Sequence, residues 1–291
     1  MISSVGIIGN GFIGGALYHG FSSITDVKIF DINPSRSPHT LTEVIGQDII
    51  FLCIPTPMNN VGECSTKNLE QELKSVLALC DATGQPKSIV IKSTIPPDFF
   101  RRLTDSRVVY MPEFLTERTS NLDFIQSTRF IFGVCDRKTL DPQLSNLFRT
   151  RFPNTRQVIM SWEEASLVKY ATNNFFTVKL SFFNELMKLC NEIPTVSGTE
   201  VINEVIEDGR IGRSHFQVPG PDGKAGWGGH CFPKDNRALI FYARSLGIDL
   251  KMLETAWTVN IEARGIVELR EELKNMEGRA VKWKTSEDTN E

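Results

Sequence analysis

A glycine-rich turn near the amino terminus restricts the fold of this chain more than any other feature. The apolar run Val5–Ile8 is followed by Gly9-Asn10-Gly11-Phe12-Ile13-Gly14, then by a helical pattern and a second apolar run that ends at Asp31. A strand, a glycine turn, a helix, a second strand and an acidic residue at this spacing are typical of a dinucleotide-binding unit.

The glycines and the acidic residue have separate roles in such a unit. Gly9 allows the tight turn, Gly11 lets the backbone approach a pyrophosphate at the helix N-terminus, and Gly14 lets helix and strand pack closely. We expect Asp31 to bind the adenosine ribose and to repel a 2′-phosphate, which favours NAD over NADP although Arg36 lies nearby. The predicted cofactor contacts of this unit are Gly9, Asn10, Gly11, Phe12, Ile13, Gly14 and Asp31.

Strand and helix patterns alternate as far as Met160, which predicts a parallel sheet. Further strands are predicted at 48–54, 88–92, 107–110, 130–134 and 157–160, with helices at 66–82 and 138–149. Ligands of such sheets bind beyond the carboxyl ends of the strands. Thr56, Thr94, Glu113 and Glu117 all follow a predicted strand end. Loop residues or helix caps are the alternative, most plainly for Thr94, which precedes two prolines.

The pattern changes after Met160 to long helices. Ser161 and Glu164 form a capping-box signature for a helix that extends to about Ile193. The helix is apolar nearly all round, which predicts burial. One stripe is nevertheless polar, and its members are Ser166, Lys169, Asn173, Thr177, Ser181 and Asn184. A lysine in these surroundings needs a partner, so Lys169 is either a site residue or part of an ion pair between two domains.

The chain is therefore expected to be α/β, with a Rossmann-like parallel-sheet domain followed by an all-α domain built on a long central helix. The predicted domains are 1–160 and 161–275, with a frayed tail at 276–291. The second domain is expected to hold a shorter helix after 194, a loop that starts at Asp208, and a final helix from Lys251 to Lys274.

Composition excludes several classes of protein. The 291 residues are 41% hydrophobic with a net charge of −3, so neither nucleic acid nor an anionic membrane is expected as a partner. No run approaches the roughly 18 apolar residues of a membrane span, and no signal peptide is expected. Four histidines show no metal-ligand spacing, and six cysteines, some in apolar runs, favour a reducing, cytoplasmic compartment.

A cysteine lies at the centre of the stretch from Gly226 to Asp235. Pro233 suits the first position of a helix, so Cys231 is expected at a helix N-terminus with Lys234 and Asp235 close by. A helix N-terminus and a lysine both stabilise a thiolate, which is the nucleophilic form of cysteine. The alternative, a buried and inert cysteine, stays open from this stretch alone.

Seven motifs together resemble the UDP-glucose/GDP-mannose dehydrogenase family, in the family's order. They are the glycine turn at 9–14, Pro55-Thr56-Pro57, Lys92-Ser93-Thr94-Ile95-Pro96, Pro112-Glu113-Phe114-Leu115 with Glu117, the segment 164–173, Arg210-Ile211-Gly212, and the segment 226–235. The resemblance covers residues 5 to 265.

The resemblance implies oxidation of the 6-hydroxyl of a nucleotide sugar to a carboxylate, with two NAD and a covalent thioester. It implies that Cys231 is the nucleophile and that Lys169 and Asn173 stabilise the oxyanions. It also implies that Asp235 and Thr94 hold or activate a water molecule. Glu113 and Glu117 match carboxylates between the sugar and the nicotinamide. Further cofactor contacts implied are Thr56, Thr94 and Lys234, and the implied substrate contacts are Phe114, Leu115, Glu117, Lys169, Asn173, Arg210 and Gly228, with Arg210 reaching a partner subunit's site.

Two departures from the family affect these expectations. The chain ends where a third domain that covers the nucleotide of the sugar would begin, and the segment between Asp31 and Asp48 is short. The sugar is also ambiguous, because Gly-Gly-His-Cys is similar to N-acetylmannosamine members and Phe-Pro-Lys-Asp to UDP-glucose members. The intact Lys234-Asp235 pair favours UDP-glucose.

Three functions are therefore weighed. The first is a four-electron UDP-sugar dehydrogenase, homodimeric through the long helix. The second is a two-electron hydroxyacid-type dehydrogenase, which has no need of Cys231. The third is an NAD-binding remnant that needs a partner chain for the missing domain.

Overall fold

The computed structural model describes residues 2–59, 61–84, 87–266, 269 and 271. Within these ranges the chain divides into two compact units. The first contains residues 2–56 and 65–169, and the second contains residues 57–64 and 170 onward.

Seven strands in the described part of the first unit form one sheet. They are β1 (Val5–Ile8), β2 (Val27–Phe30), β3 (Ile49–Leu52), β4 (Ser88–Ile91), β5 (Val108–Tyr110), β6 (Arg129–Val134) and β7 (Arg156–Ser161). Their order is β2-β1-β3-β4-β5-β6-β7, and the first five in that order pair in parallel. The predicted α/β class with a Rossmann-like sheet is thereby confirmed.

One strand pair differs from the all-parallel expectation. β5 and β6 pair antiparallel through Tyr110 and Gly133, whereas β6 and β7 are parallel to each other. Parallel pairing requires the chain to cross back to the other end of the preceding strand. The connection between β5 and β6, which contains the α-helix Ser120–Ile125, does not do so.

The helices of the first unit cover both faces of the sheet. They are α1 (Phe12–Phe21), α2 (Leu41–Ile45), α3 (Lys67–Thr83), α4 (Ser120–Ile125) and α5 (Pro142–Arg151), with short 3₁₀ helices at Pro34–Arg36, Pro97–Arg102 and Glu117–Thr119. Successive strand residues alternate between two apolar clusters, so that Ile7 packs in one and Ile8 in the other. Both faces are buried because strand side chains point alternately to each side.

The long helix α6 (Trp162–Asn191) begins in the first unit and continues into the second. Its predicted capping box is present, because the Ser161 N–H donates to Glu164 Oε2 at 2.9 Å and the Glu164 N–H donates to Ser161 Oγ at 3.2 Å. The second unit adds α7 (Gly198–Glu207), α8 (Phe232–Ser245) and α9 (Lys251–Arg264). No helix of the described residues is long and apolar enough to cross a membrane.

The predicted all-round burial of α6 is wrong. Phe175, Phe182 and Leu189 are 63%, 56% and 60% exposed. The polar stripe is the buried side, and its members Ser166, Lys169, Asn173, Thr177, Ser181 and Asn184 are all less than 9% exposed. Polar side chains are buried at low cost where neighbouring segments supply hydrogen-bond partners, and several of these partners come from residues distant in sequence.

The last helix is shorter than the sequence predicts. α9 ends at Arg264, and Gly265 follows with φ of +92°, a backbone conformation that suits glycine and interrupts the helix. The predicted tail at 276–291 lies outside the described residues.

Candidate functional site

The protein's own packing explains two of the three glycines in the amino-terminal turn. Gly9 has φ of +101°, and a Cβ there would overlap the carbonyl oxygen of Cys53. A Cβ at Gly14 would overlap the carbonyl oxygen of Gly9. These two positions therefore need glycine for the fold itself, as the spacing predicts.

Gly11 is different, because a Cβ built there meets nothing within 4 Å and its φ is −84°. It caps α1, whose first residues are Phe12 and Ile13, and no side chain caps this helix end. The first backbone N–H groups of a helix attract anions. Open space over an uncapped helix N-terminus fits the pyrophosphate of a dinucleotide.

Asp31 holds the amino-terminal turn through its carboxylate. Its Oδ2 accepts from the Asn10 N–H at 2.7 Å, and its Oδ1 accepts from the Asn33 N–H at 2.8 Å. The Asn10 side chain also donates to the Arg36 carbonyl at 2.7 Å. Each carboxylate oxygen can accept more than one bond, so Asp31 fits a ribose hydroxyl while it orients Asn10.

The loops after β3 and β4 are joined by hydroxyl groups. Thr56 Oγ1 donates to the Thr94 carbonyl at 2.6 Å, and Ser93 Oγ donates to the Ile54 carbonyl at 2.5 Å. The following 3₁₀ helix begins after Pro96 and has no side-chain cap, so Thr94 is not a helix cap. Thr56 and Thr94 therefore lie together at the carboxyl edge of the sheet.

Lys169 and Glu113 form a buried ion pair in the first unit. Lys169 Nζ is 2.9 Å from Glu113 Oε1, and both side chains are 3% exposed. Glu113 Oε2 accepts from the Leu115 N–H at 2.6 Å, and the ammonium lies 5.5 Å from the centre of the Phe114 ring. Both partners belong to the first compact unit, whereas the predicted boundary at residue 160 assigns them to different domains.

The two glutamates of this motif have different surroundings. Glu113 is buried, whereas Glu117 is exposed at the start of the 3₁₀ helix Glu117–Thr119. The four-residue spacing therefore does not place them on one helical face.

Lys92 is a residue whose surroundings the sequence did not reveal. It is 2% exposed, and its Nζ is 3.5 Å from the Pro112 carbonyl oxygen. Burial lowers the pKa of Lys92 to about 8; the nearby Cys53 and Glu113 oppose this shift, and Lys169 adds a smaller lowering. The sequence feature that indicated its burial is its position at the end of the apolar run that starts at Ser88.

Cys231 lies at the predicted helix start in the second unit. It is the N-cap residue of α8 and is half-buried. The helix begins at Phe232, and Pro233 occupies its second position, where the missing N–H also has no intrahelical partner. The Asp235 N–H donates to the Cys231 carbonyl at 2.8 Å, which fixes the first turn.

A polar cluster is buried directly after Cys231. Asn173 Nδ2 donates to Asp235 Oδ2 at 2.6 Å, and Lys234 Nζ contacts Asp235 Oδ1. Burial opposes the charge of Lys234, but Asp235 and the thiols of Cys64 and Cys231 raise its pKa above the ordinary lysine value. Lys234 is therefore an ammonium in the electrostatic neighbourhood of Cys231, and Cys64 is a second thiol that the sequence did not single out.

Two other predicted site residues occupy contrasting positions in the second unit. The Arg210 side chain is 89% exposed and pairs with Asp208. Gly228 lies against the Arg264 guanidinium, which a Cβ at Gly228 would overlap.

The predicted site residues thus fall into two groups, one in each unit. The first unit holds Gly9, Asn10, Gly11, Phe12, Ile13, Gly14, Asp31, Thr56, Thr94, Glu113, Phe114, Leu115, Glu117 and Lys169. The second unit holds Asn173, Arg210, Gly228, Cys231, Lys234 and Asp235.

Comparison with known proteins gives two matches to family models. Residues 38–151 match the NAD binding domain of the UDP-glucose/GDP-mannose dehydrogenase family, and residues 163–262 match the family's central domain. NAD is accordingly the cofactor of the sheet-containing domain.

Relatives at about 30% identity include two proteins named UDP-glucose 6-dehydrogenase. The chain is 30% identical over 242 residues to UDP-glucose 6-dehydrogenase AglM of Haloferax volcanii, covering 77% of this chain and 55% of that protein. It is 32% identical over 225 residues to UDP-glucose 6-dehydrogenase YwqF of Bacillus subtilis, covering 73% and 48%. The chain thus spans about half the length of the curated relatives it matches.

Solved structures show the same fold. A UDP-glucose dehydrogenase from Pyrobaculum islandicum superposes with a TM-score of 0.77 and 26% identity over 89% of this chain and 68% of that one. A 3-hydroxyisobutyrate dehydrogenase of Mycobacterium tuberculosis shares the fold alone, with a TM-score of 0.68 and 14% identity over 95% and 99%. The two family-model matches, which together cover more than half of the chain, show that the chain belongs to the UDP-glucose/GDP-mannose dehydrogenase family.

Proposed function

We propose that this chain is an NAD-dependent oxidoreductase that converts the 6-hydroxymethyl group of a nucleotide sugar to a carboxylate through a thioester on Cys231. The observation that carries the proposal is the half-buried Cys231 at the N-terminus of α8, followed by Lys234 and by Asp235, which Asn173 binds. An electropositive, partly accessible helix start favours a reactive thiolate.

The cysteine is needed because the aldehyde cannot lose a second hydride directly. The alcohol first loses a hydride and its hydroxyl proton. The Cys231 thiolate then adds to the aldehyde carbon and gives an oxyanion, and loss of a second hydride from this adduct leaves a thioester. Water adds to the thioester carbon and the C–S bond breaks, which releases the carboxylate, the Cys231 thiol and one proton. NAD, when bound, accepts the hydride of each oxidation.

The remaining residues have proposed roles in charge stabilisation and proton handling. Lys169 and Asn173 donate to the oxyanions of the adducts, a role that suits an ammonium and an amide. Asp235 and Thr94 hold the hydrolytic water, and Glu113 orients the Lys169 ammonium through their 2.9 Å ion pair. Phe114, Leu115, Glu117, Arg210 and Gly228 stay proposed substrate contacts, and Thr56 and Lys234 stay proposed cofactor contacts.

UDP-glucose is the proposed substrate. The relatives named above carry that sugar in their names, and the Lys234-Asp235 pair is intact. UDP-N-acetylmannosamine is the second sugar to test, because of Gly228-Gly229-His230-Cys231.

A homodimer through α6 is proposed for the assembly. Phe175, Phe182 and Leu189 follow one another at intervals of seven residues and are all more than half exposed. Seven residues are about two helical turns, so these side chains form one apolar stripe. A second copy of the same stripe is the partner that buries it in the simplest symmetric way.

Two further proposals concern organisation and location. Residues 1–160 are proposed as the NAD-binding domain and 161–275 as the helical domain with the nucleophile. A cytoplasmic location is proposed because cysteines in apolar runs, such as Cys53 and Cys80, are typical of a reducing compartment.

The test is the number of NADH molecules formed per UDP-glucose consumed, with purified protein and excess NAD. Two NADH per sugar, together with loss of the acid product in Cys231→Ser, is the expected result. Cys135→Ser is the matched control, since Cys135 is exposed and belongs to the first unit.

Other outcomes would overturn the proposal in identifiable ways. One NADH per sugar indicates a two-electron dehydrogenase and leaves Cys231 without a role. NAD binding without turnover of either sugar indicates a chain that needs a partner.

A further inference from the structure

The turn before Cys231 is held by side chains of two helices. The Gly226 N–H donates to Asn184 Oδ1 of α6 at 2.7 Å. The next peptide is bound by Asn260 of α9, whose Oδ1 accepts from the Trp227 N–H at 2.6 Å and whose Nδ2 donates to the Trp227 carbonyl at 2.8 Å. One side-chain amide therefore satisfies both backbone groups of Trp227.

Asn260 and the turn fit each other closely. Asn260 is 1% exposed, so losing either hydrogen bond would leave a buried polar group unpaired. Gly226 has φ of +72°, and a Cβ there would overlap Asn260 Oδ1. The absence of a side chain at Gly226 is thus what lets the Asn260 amide reach the Trp227 backbone.

The Trp227 side chain strengthens this attachment. It is 2% exposed, and its indole N–H donates to Ser181 Oγ at 2.9 Å. Trp227 is therefore held through both its backbone and its side chain, four residues before Cys231.

We propose that Asn260 is a positioning residue for Cys231, fixing the Trp227 peptide so that the thiol stays at the N-terminus of α8. The catalytic consequence rests on the proposed function, whereas the positioning itself does not. Asn260 does not touch the reacting atoms under this proposal; it acts through the turn.

Substitutions can remove one or both of the hydrogen bonds between the Asn260 amide and Trp227, so a graded effect is expected. Asn260→Asp keeps the acceptor for the Trp227 N–H but loses the donor to its carbonyl, and Asn260→Leu loses both. A misplaced nucleophile slows the chemical step more than it weakens substrate binding. We expect kcat to fall at least about tenfold in Asn260→Leu and less in Asn260→Asp, with KM little changed.

The decisive measurement does not require activity. The folded protein is treated with iodoacetamide, and mass spectrometry gives the alkylation rate of Cys231 relative to that of the exposed Cys135. Releasing the turn exposes the half-buried thiol, so this ratio is expected to rise severalfold in Asn260→Leu and less in Asn260→Asp.

Two control variants separate positioning from loss of stability. Ile202→Ala removes a buried side chain of the α7 cluster without touching the turn, and Thr258→Ala alters the exposed side of α9. Both are expected to keep the wild-type ratio. An unchanged ratio in Asn260→Leu, or an equal rise in Ile202→Ala, would overturn the proposal.

The two proposals fail differently. If the wild-type protein forms no NADH with either sugar, the proposed function fails, and the alkylation ratio still tests Asn260. If it forms two NADH per sugar while kcat and the ratio are unchanged in Asn260→Leu, only the positioning proposal fails.

Discussion

The side-chain amide of Asn173 donates a 2.6 Å hydrogen bond to the carboxylate of Asp235, although the two residues are 62 positions apart in sequence. Both side chains are buried, and Asp235 is only 1% exposed. A buried carboxylate is tolerated when donors surround it. Lys234 supplies the second donor. The three residues form one cluster, in which the amide of Asn173 contacts the carboxylate without adding a second negative charge.

Replacing that amide by a carboxylate tests the cluster without reference to activity. In Asn173→Asp, two carboxylates face each other in a buried place, which raises the pKa of one of them. The folded state then binds more protons than the unfolded state, so the variant loses stability as pH rises from about 5 to 8. Urea unfolding at the two pH values measures this change relative to wild type.

The matched control is Asn191→Asp, at the exposed end of α6. It is expected to follow the wild-type pH dependence. Equal curves for Asn173→Asp and Asn191→Asp would contradict the contact.

The Lys169–Glu113 pair predicts a large cost for removing one partner. Lys169→Met leaves Glu113 as an unpaired charge that is 4% exposed, and breaking such a pair costs about 3–5 kcal/mol. The free energy of unfolding from urea titration measures it. The double variant Lys169→Met/Glu113→Gln should recover part of the loss, since the Glu113 carboxylate is then no longer left without the Lys169 ammonium.

An exposed ion pair in the same unit provides the comparison. Arg137 and Glu164 form a pair whose side chains are 64% and 41% exposed. Arg137→Met should cost less than about 1 kcal/mol. A similar small cost for Lys169→Met would show that the buried pair is not formed.

Two substitutions in the amino-terminal glycine turn separate an effect on stability from an effect on cofactor binding. Gly14→Ala should lower the free energy of unfolding by about 3 kcal/mol or more, because its Cβ would overlap the Gly9 carbonyl oxygen. Gly11→Ala should fold normally, because its Cβ meets no protein atom within 4 Å. It should nevertheless weaken NADH binding at least about tenfold if a pyrophosphate occupies that space.

Urea unfolding and NADH fluorescence titration are the two measurements. Normal NADH affinity in Gly11→Ala would exclude a pyrophosphate from this helix end. Normal stability in Gly14→Ala would contradict the close packing of the turn.

The buried Lys92 predicts a pH-dependent stability difference. Burial lowers its folded-state pKa from 10.5 to about 8. Below pH 8 the folded protein carries a buried charge. Between pH 8 and 10.5 the unfolded state binds more protons than the folded state. The cost of burying the Lys92 charge therefore decreases as pH rises, and the wild type becomes more stable. The stability of Lys92→Met relative to wild type should therefore fall across this window, by up to about 3 kcal/mol.

Chemical denaturation at several pH values in this window measures the difference. Lys74→Met, on the exposed side of α3, is the control and should show no such trend. Parallel curves for wild type and Lys92→Met would mean that Lys92 does not change its protonation on folding.

Features that depend on neighbours in sequence were predictable. Gly9 and Gly14 occupy the constrained places that their spacing predicts. Cys231 lies at a helix start because Pro233 follows it. These features are local, since a turn, a cap or a strand needs only a few consecutive residues to define it.

Tertiary packing decided which side of α6 is buried. Its composition predicts burial all round, yet Phe175 is 63% exposed and Thr177 is fully buried. The hydrophobic effect favours burying phenylalanine, but the surfaces available to a helix come from other segments. Polar side chains such as Ser181 and Asn184 face segments that offer hydrogen-bond partners.

The sequence by itself determined the α/β order, the glycine turn and the place of Cys231 at a helix start. Only the tertiary structure decided that Lys169 pairs with Glu113, that Asn173 binds Asp235, and that Asn260 holds Trp227. These partners are 56, 62 and 33 residues apart in sequence. No local pattern links residues so far apart, because folding of the intervening chain is what brings them within hydrogen-bond distance.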